Sequence, residues 1–113
     1  MSTVSEHQYT KVASLLIDLE MELRHLQLWQ SQQPSAQALA STVPFCVDTL
    51  GFDQWLQFVF LPTLQQMIAL GMTLPSHCQV TPMAEEFLRA RSNDALPAER
   101  LLTVLAALDR LMS

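Results

Sequence analysis

Residues 41–62, STVPFCVDTLGFDQWLQFVFLP, decide the fold: they hold four of the five phenylalanines and one of the two tryptophans. A turn-rich lead-in gives way at Phe52 to a helical pattern in which Trp55, Leu56, Val59, Phe60, Leu64, Met67 and Ile68 fill one broad face. Phe58 and Leu61 lie to its side, and the polar members are chiefly Gln54, Gln57, Gln65 and Gln66. A helix apolar on most of its faces is one that others enclose. Asp48 or Thr49 is the expected N-cap, with Asp53 near the positive helix end. Pro62 removes one backbone hydrogen bond and crowds the carbonyl of Phe58, at a cost of about 3 kcal/mol or more. The apolar spacing continues in register beyond it, so the prediction is a kink rather than an end, with Gly71 as the stop.

Upstream, SQQPSAQALASTVP over residues 31–44 reads as a connection, since the residue before Pro34 avoids the helical region. At fourteen residues it exceeds the usual bundle loop of about 2 to 8, which marks it as a bundle crossing or a site. Before it, Val12, Leu16, Leu19, Leu23 and Leu26 recur at steps of four and three, and no Gly or Pro intervenes before Pro34. The spacing predicts one long helix over residues 5–32, with Asp18, Glu20, Glu22, Arg24 and Gln27 facing solvent. Downstream, residues 72–80 form a second loop, and Thr81-Pro82 starts a third helix that ends near Arg91. Pro97 opens a fourth, whose inner face is Leu101, Val104, Leu105, Leu108, Leu111 and Met112, with Glu99, Arg100, Asp109 and Arg110 outward. No run alternates as a strand would. The expected architecture is all-α: a four-helix bundle in one domain, residues 1–113, whose central second helix is kinked at a proline.

Composition bounds the function. Only 15% of the 113 residues are charged against a typical ~25%, while 50% are apolar, so some apolar surface is left over for a partner or a second copy. Eleven acidic residues outnumber six basic ones, and Lys11, Arg24, Arg89, Arg91, Arg100 and Arg110 are scattered. Nucleic-acid recognition needs a clustered cationic face, so direct nucleic-acid binding is disfavoured. The N-terminal residues lack a signal-peptide pattern, no window is apolar for ~18 residues, and Cys46 and Cys78 have no CxxC spacing; with nothing to mark the chain as secreted, a disulfide between them is not expected. A cytoplasmic protein is expected.

Catalytic signatures are absent. His7, His25 and His77 fall in separate elements without metal spacing, so no metal or other cofactor is expected. Asp18, Glu20 and Glu22 alternate along the first helix, and steps of two place neighbours on different faces. Cys46 meets His77 only if two loops come together, and it reads as a small buried hydrophobe. Asp48 reads as a cap, with a ligand-facing carboxylate as the alternative. Trp29 and Trp55 read as core residues, with a partner groove as the alternative for Trp55.

The central motif resembles the YqcC-like family, small bacterial proteins of unknown function: Ser41-Thr42-Val43-Pro44-Phe45 leads into Asp48-Thr49, then Gln54-Trp55-Leu56-Gln57-Phe58-Val59 and Leu61-Pro62. Trp29 near the end of a long first helix extends the resemblance over nearly the whole chain. The resemblance implies a helical bundle and, through gene neighbourhood, a link to a tRNA pseudouridine synthase. It supplies no catalytic residues. Thr63 stands where the family pattern leads one to expect a basic residue after Leu61-Pro62, which weakens any anion site there. The functional expectation is an interaction or accessory module that binds a protein partner or a second copy through Pro44, Phe45, Asp48, Gln54, Trp55 and Gln57. The alternative is a small-molecule binder with a pocket between helices, near Pro62 and Asp48.

Overall fold

The computed structural model describes residues 3–75, 78–90 and 98–112, with side chains from residue 8 onward. Among them every regular element is helical. The order is α1 (Thr3–His25), α2 (Ala36–Leu39), α3 (residues 52–69), α4 (Thr81–Ala90) and α5 (Glu99–Leu111). Within α3, the α-helical pieces Phe52–Trp55 and Leu61–Ala69 flank a π turn, Leu56–Phe60. No described helix is long and apolar enough to cross a membrane.

The leucine stripe of α1 does what its spacing predicts: Val12, Leu16, Leu19, Leu23 and Leu26 are all buried. They share one core with Phe52, Leu56, Phe60, Leu61 and Leu64 of α3, Ala84 of α4, and Leu101, Leu105 and Leu108 of α5. The first and last helices, α1 and α5, pack most extensively on each other. Leu61 is buried rather than lateral, because the π turn brings it inward beside Phe60.

The first helix stops at His25, about two turns before the expected end. Its terminus is a Schellman motif: Leu28 N–H donates to the Leu23 carbonyl at 2.8 Å and Gln27 N–H to that of Arg24 at 3.0 Å. Gln27 takes the left-handed position, φ 61°, that usually belongs to glycine. Leu28 is thereby folded back onto the core, and its burial offsets the backbone strain. Gln27→Gly is expected to stabilise the protein by about 1 kcal/mol, read as a higher denaturant midpoint with an unchanged slope. A lower midpoint would show that the glutamine side chain does more than occupy the turn.

Three local expectations are corrected. The connection before Pro44 contains the one-turn helix α2, capped by the Ser35 hydroxyl, which accepts from Ala38 N–H at 3.1 Å. Neither Asp48 nor Thr49 caps α3. The cap is Gly51, whose N–H donates to the Gln54 side chain at 2.8 Å, while Asp48 and Thr49 bond back to Ser41 and the Ala38 carbonyl. Asp109 does not point outward: its carboxylate accepts from Val80 N–H and Thr81 N–H, both at 2.9 Å, and so supplies the α4 terminus with acceptors from another helix. The Thr81 hydroxyl is buried with no hydrogen-bond partner among the described residues. Helix starts at Pro97 and ends at Arg91 lie outside the described residues.

Across Pro62 the helical path is continuous. Leu61 N–H donates to the Leu56 carbonyl, five residues back, in the wider π step that precedes the proline.

Candidate functional site

The site is assembled around the turn Pro44–Cys46. Cys46 N–H donates to the Val43 carbonyl at 2.9 Å and Val47 N–H to that of Pro44 at 3.3 Å. Phe45 and Cys46 are both held at positive φ, 58° and 51°, two successive left-handed residues without a glycine between them. Such a backbone persists only where neighbours over-determine it. Here the restraints are the Ser41 hydroxyl, which donates to Asp48 at 2.6 Å, the Thr49 hydroxyl, which donates to the Ala38 carbonyl at 2.8 Å, and the buried Cys46 side chain.

The result is that the Phe45 ring meets Trp55 edge to face at 4.8 Å. Trp55 also stacks on Phe52 at 5.9 Å and lies 5.2 Å from Phe60, and Phe52 reaches Phe87 of α4 at 6.0 Å. Edge-to-face and offset pairs each add about 0.5 to 1.5 kcal/mol beyond burial. Beside this cluster runs an open groove of about 330 Å³. Phe45 and Trp55 border it with Val59, Phe60, Thr63 and Leu64 of α3, and the segment after α3 contributes Pro75, Cys78, Gln79 and Val80. Thr63 and Gln79 are the uncharged polar exceptions in an apolar wall. Val43 and Val47 stand exposed on either side of the Pro44 turn.

Of the six residues singled out in the sequence, the structure brings Phe45 and Trp55 together on the groove. Pro44 is exposed and shapes the turn from outside. Asp48 is exposed and does not line the groove, so the expected pocket with a carboxylate beside Pro62 does not form around it. Gln54 and Gln57 turn toward the loop after α1. Gln57 is buried, donates to the Gln30 carbonyl at 2.7 Å and accepts from Gln30 N–H at 2.8 Å. Gln54 donates to the Gln30 side chain at 3.3 Å. The far wall of the groove carries no signal in the sequence, because Pro75, Cys78 and Val80 come from a segment that reads as loop.

The Cys78 thiol is pushed up to about 12, first by burial and then by its hydrogen bond to Asp109 and that residue's charge, so it stays protonated at neutral pH. The unfolded chain releases the same proton near 9.0, hence stability from this group is complete below that pH and is lost as pH rises from 9.0 toward about 12. A Cys78→Ala variant is expected to lose less stability over that interval than the parent, as read from urea midpoints at each pH. Parallel pH profiles would contradict the raised value. Cys46 is buried with its Sγ 3.9 Å from the Ser41 carbonyl. His25 is exposed, His77 and the His7 side chain lie outside the described region, and among the described residues no three His, Cys, Asp or Glu side chains converge as metal ligands.

The sequence pattern of the family DUF446, described as tRNA pseudouridine synthase C, matches residues 11–111. The chain belongs to the DUF446 family. It is similar to an uncharacterised protein of Haemophilus influenzae, 35% identical over 85% of this chain and 87% of that protein. Protein YqcC of Escherichia coli, also uncharacterised, is 30% identical over 93% of this chain and 94% of its own length. The solution NMR structure of YqcC superposes with a TM-score of 0.77 at 31% identity, covering 93% of this chain and 87% of that one. A Pectobacterium carotovorum protein named tRNA pseudouridine synthase C is 38% identical over 58% of this chain, and the match spans 17% of that protein. The resemblance to YqcC-like proteins of unknown function thus holds over nearly the whole DUF446 chain, along with the all-helical fold.

Proposed function

We propose that the chain is a cytoplasmic accessory module that works beside a tRNA pseudouridine synthase and grips a protein partner in the groove bordered by Phe45 and Trp55. The observation that carries this reading is the groove itself: about 330 Å³, apolar except for Thr63 and Gln79, with Val43 and Val47 exposed on the turn that carries Phe45. Half-buried aromatic residues in such a setting are the usual anchors of a binding hot spot. The Pectobacterium match supports the choice of partner, since more than four fifths of the protein bearing the synthase name lies outside it. A relative of this module that is part of a larger chain is held there at high effective concentration, and a separate chain has to reach the same place by binding. With eleven acidic residues against six basic, the module recognises protein and leaves tRNA to the enzyme. The reading takes residues 1–113 as one domain, a bundle of four principal helices bent at Pro62.

Isothermal titration of the purified chain with purified synthase C from the same organism tests it. Binding is expected, weakened at least tenfold, about 1.4 kcal/mol, by Trp55→Ala and by Val47→Glu, whose exposed position leaves the fold unchanged. No heat of binding and no co-elution would overturn the proposal.

The groove volume also lies at the lower end of small-ligand sites, about 300 to 1,000 Å³, which favours a second reading as a binder of a neutral apolar molecule. Quenching of Trp55 fluorescence by such a ligand, with no response to the synthase, would select it.

A further inference from the structure

We propose that the outer face formed by α1 and α5 is the contact surface of a two-fold dimer of this chain, in which Arg100 of each copy pairs with Glu22 of the other. The face lies apart from the Phe45–Trp55 groove, and the inference does not rest on the reading given there.

Ile17 and Met21, one turn apart on α1, are 63% and 60% exposed. Beside Met21 is a cleft of about 380 Å³ between the two helices, bordered by Asp18, Glu22, Arg100 and Val104. The spacing of four from Asp18 to Glu22 puts both carboxylates on this cleft, although the neighbours in the run Asp18, Glu20, Glu22 diverge. Glu22 is not the solvated residue that its place in the sequence implies. Its side chain is only 13% exposed, and its Oε1 is buried with no hydrogen-bond donor among the described residues. Arg100 holds its guanidinium 4.0 Å from Oε2, too far for a hydrogen bond, and is itself 85% exposed.

A carboxylate withdrawn from water without a donor costs more than a neutral acceptor would, and a donor supplied by a second copy relieves that cost. A small cation would satisfy Glu22 and leave Ile17 and Met21 in water. A second copy satisfies both. Opposite charges lying this close together make the face complementary to itself after a half turn, the defining property of an isologous contact. Placed near the axis, the two Glu22 and two Arg100 side chains alternate in sign, and rotation of each carboxyl about its terminal bond presents an oxygen to the partner's guanidinium. Ile17, Met21 and Val104 then form the apolar centre within a polar rim.

Light scattering on the full chain during gel filtration tests this. The parent is expected at twice 12.7 kDa. Met21→Glu and Arg100→Glu, both at exposed positions, should each run as monomers with unchanged circular dichroism. A Glu22→Arg chain should also be monomeric, and mixing it with the Arg100→Glu chain should restore the dimer mass, because each then supplies the charge that the other lacks. If Glu22→Arg does not fold, the masses of the parent, Met21→Glu and Arg100→Glu chains decide. A monomeric parent at all concentrations, a dimer that survives Met21→Glu, or mixtures that stay monomeric would each overturn the proposal.

Discussion

Gln57→Ala is expected to destabilise the protein by about 2 to 3 kcal/mol, on the order of 10 °C in melting midpoint, without altering the groove. The amide of Gln57 makes two hydrogen bonds, to the N–H and the carbonyl of Gln30, in the manner of a neighbouring strand. These bonds fasten the connection after α1 to the middle of α3, across 27 residues of chain. Truncation leaves two partly buried backbone groups without partners, and such groups cost more to strand than the bonds were worth. Gln57→Glu separates the two halves of the argument. It keeps an acceptor for Gln30 N–H but sets a carboxylate oxygen against the Gln30 carbonyl, so the loss at neutral pH should match or exceed that of alanine. A Gln57→Ala variant as stable as the parent would mean that the Gln30 loop contributes nothing to the fold.

A still larger loss is expected at the contact between the first and last helices. Leu105 is 0% exposed and shares its core with Leu16, Leu19 and Leu23 of α1, with Leu101 and Leu108 on either side along α5. Leu105→Ala removes its methyl groups and leaves a cavity that rigid helices close only in part, at about 2 to 5 kcal/mol. For a domain whose whole stability is of the order of 5 to 15 kcal/mol, that approaches unfolding. Leu70→Ala is the control: the same side chain, 65% exposed, expected to change stability by no more than about 0.5 kcal/mol. Chemical denaturation of the three proteins at equal slope decides the matter, and equal losses at both positions would show that α1 and α5 do not pack as described.

The residues whose role was legible in the sequence are those whose partners repeat at helical spacing. Val12, Leu16, Leu19 and Leu23 announce a buried stripe because leucine at steps of three and four has one physical use. What was not legible depends on partners far along the chain. Nothing near Gln27 marks a helix end: no glycine, no proline, only Leu28 finding the core if the chain turns back. Asp109 looks solvent-facing until the start of α4, 28 and 29 residues upstream, arrives with two free N–H groups. Gln57 read as a binding residue for the same reason, since a glutamine among apolar neighbours is either a recognition group or an internal tie, and the distinction lies with Gln30. Half of the groove was visible in Phe45 and Trp55, whereas its other wall exists only through tertiary packing.

The π turn ahead of Pro62 acts as a phase shift. Because that proline has no N–H to give, the preceding turn holds one residue more than an α-helical turn, and one surplus residue rotates everything upstream by about 100° relative to everything downstream. Two helical wheels drawn on a common axis therefore misplace either Leu61 or Trp55. Shortening the chain by one residue between Leu56 and Phe60 would take out the surplus residue, swing the indole away from Phe45 and leave the groove without its aromatic side. Length at this point, more than the identity of any side chain, is what aligns the anchoring half of the helix with the half that is locked in the core.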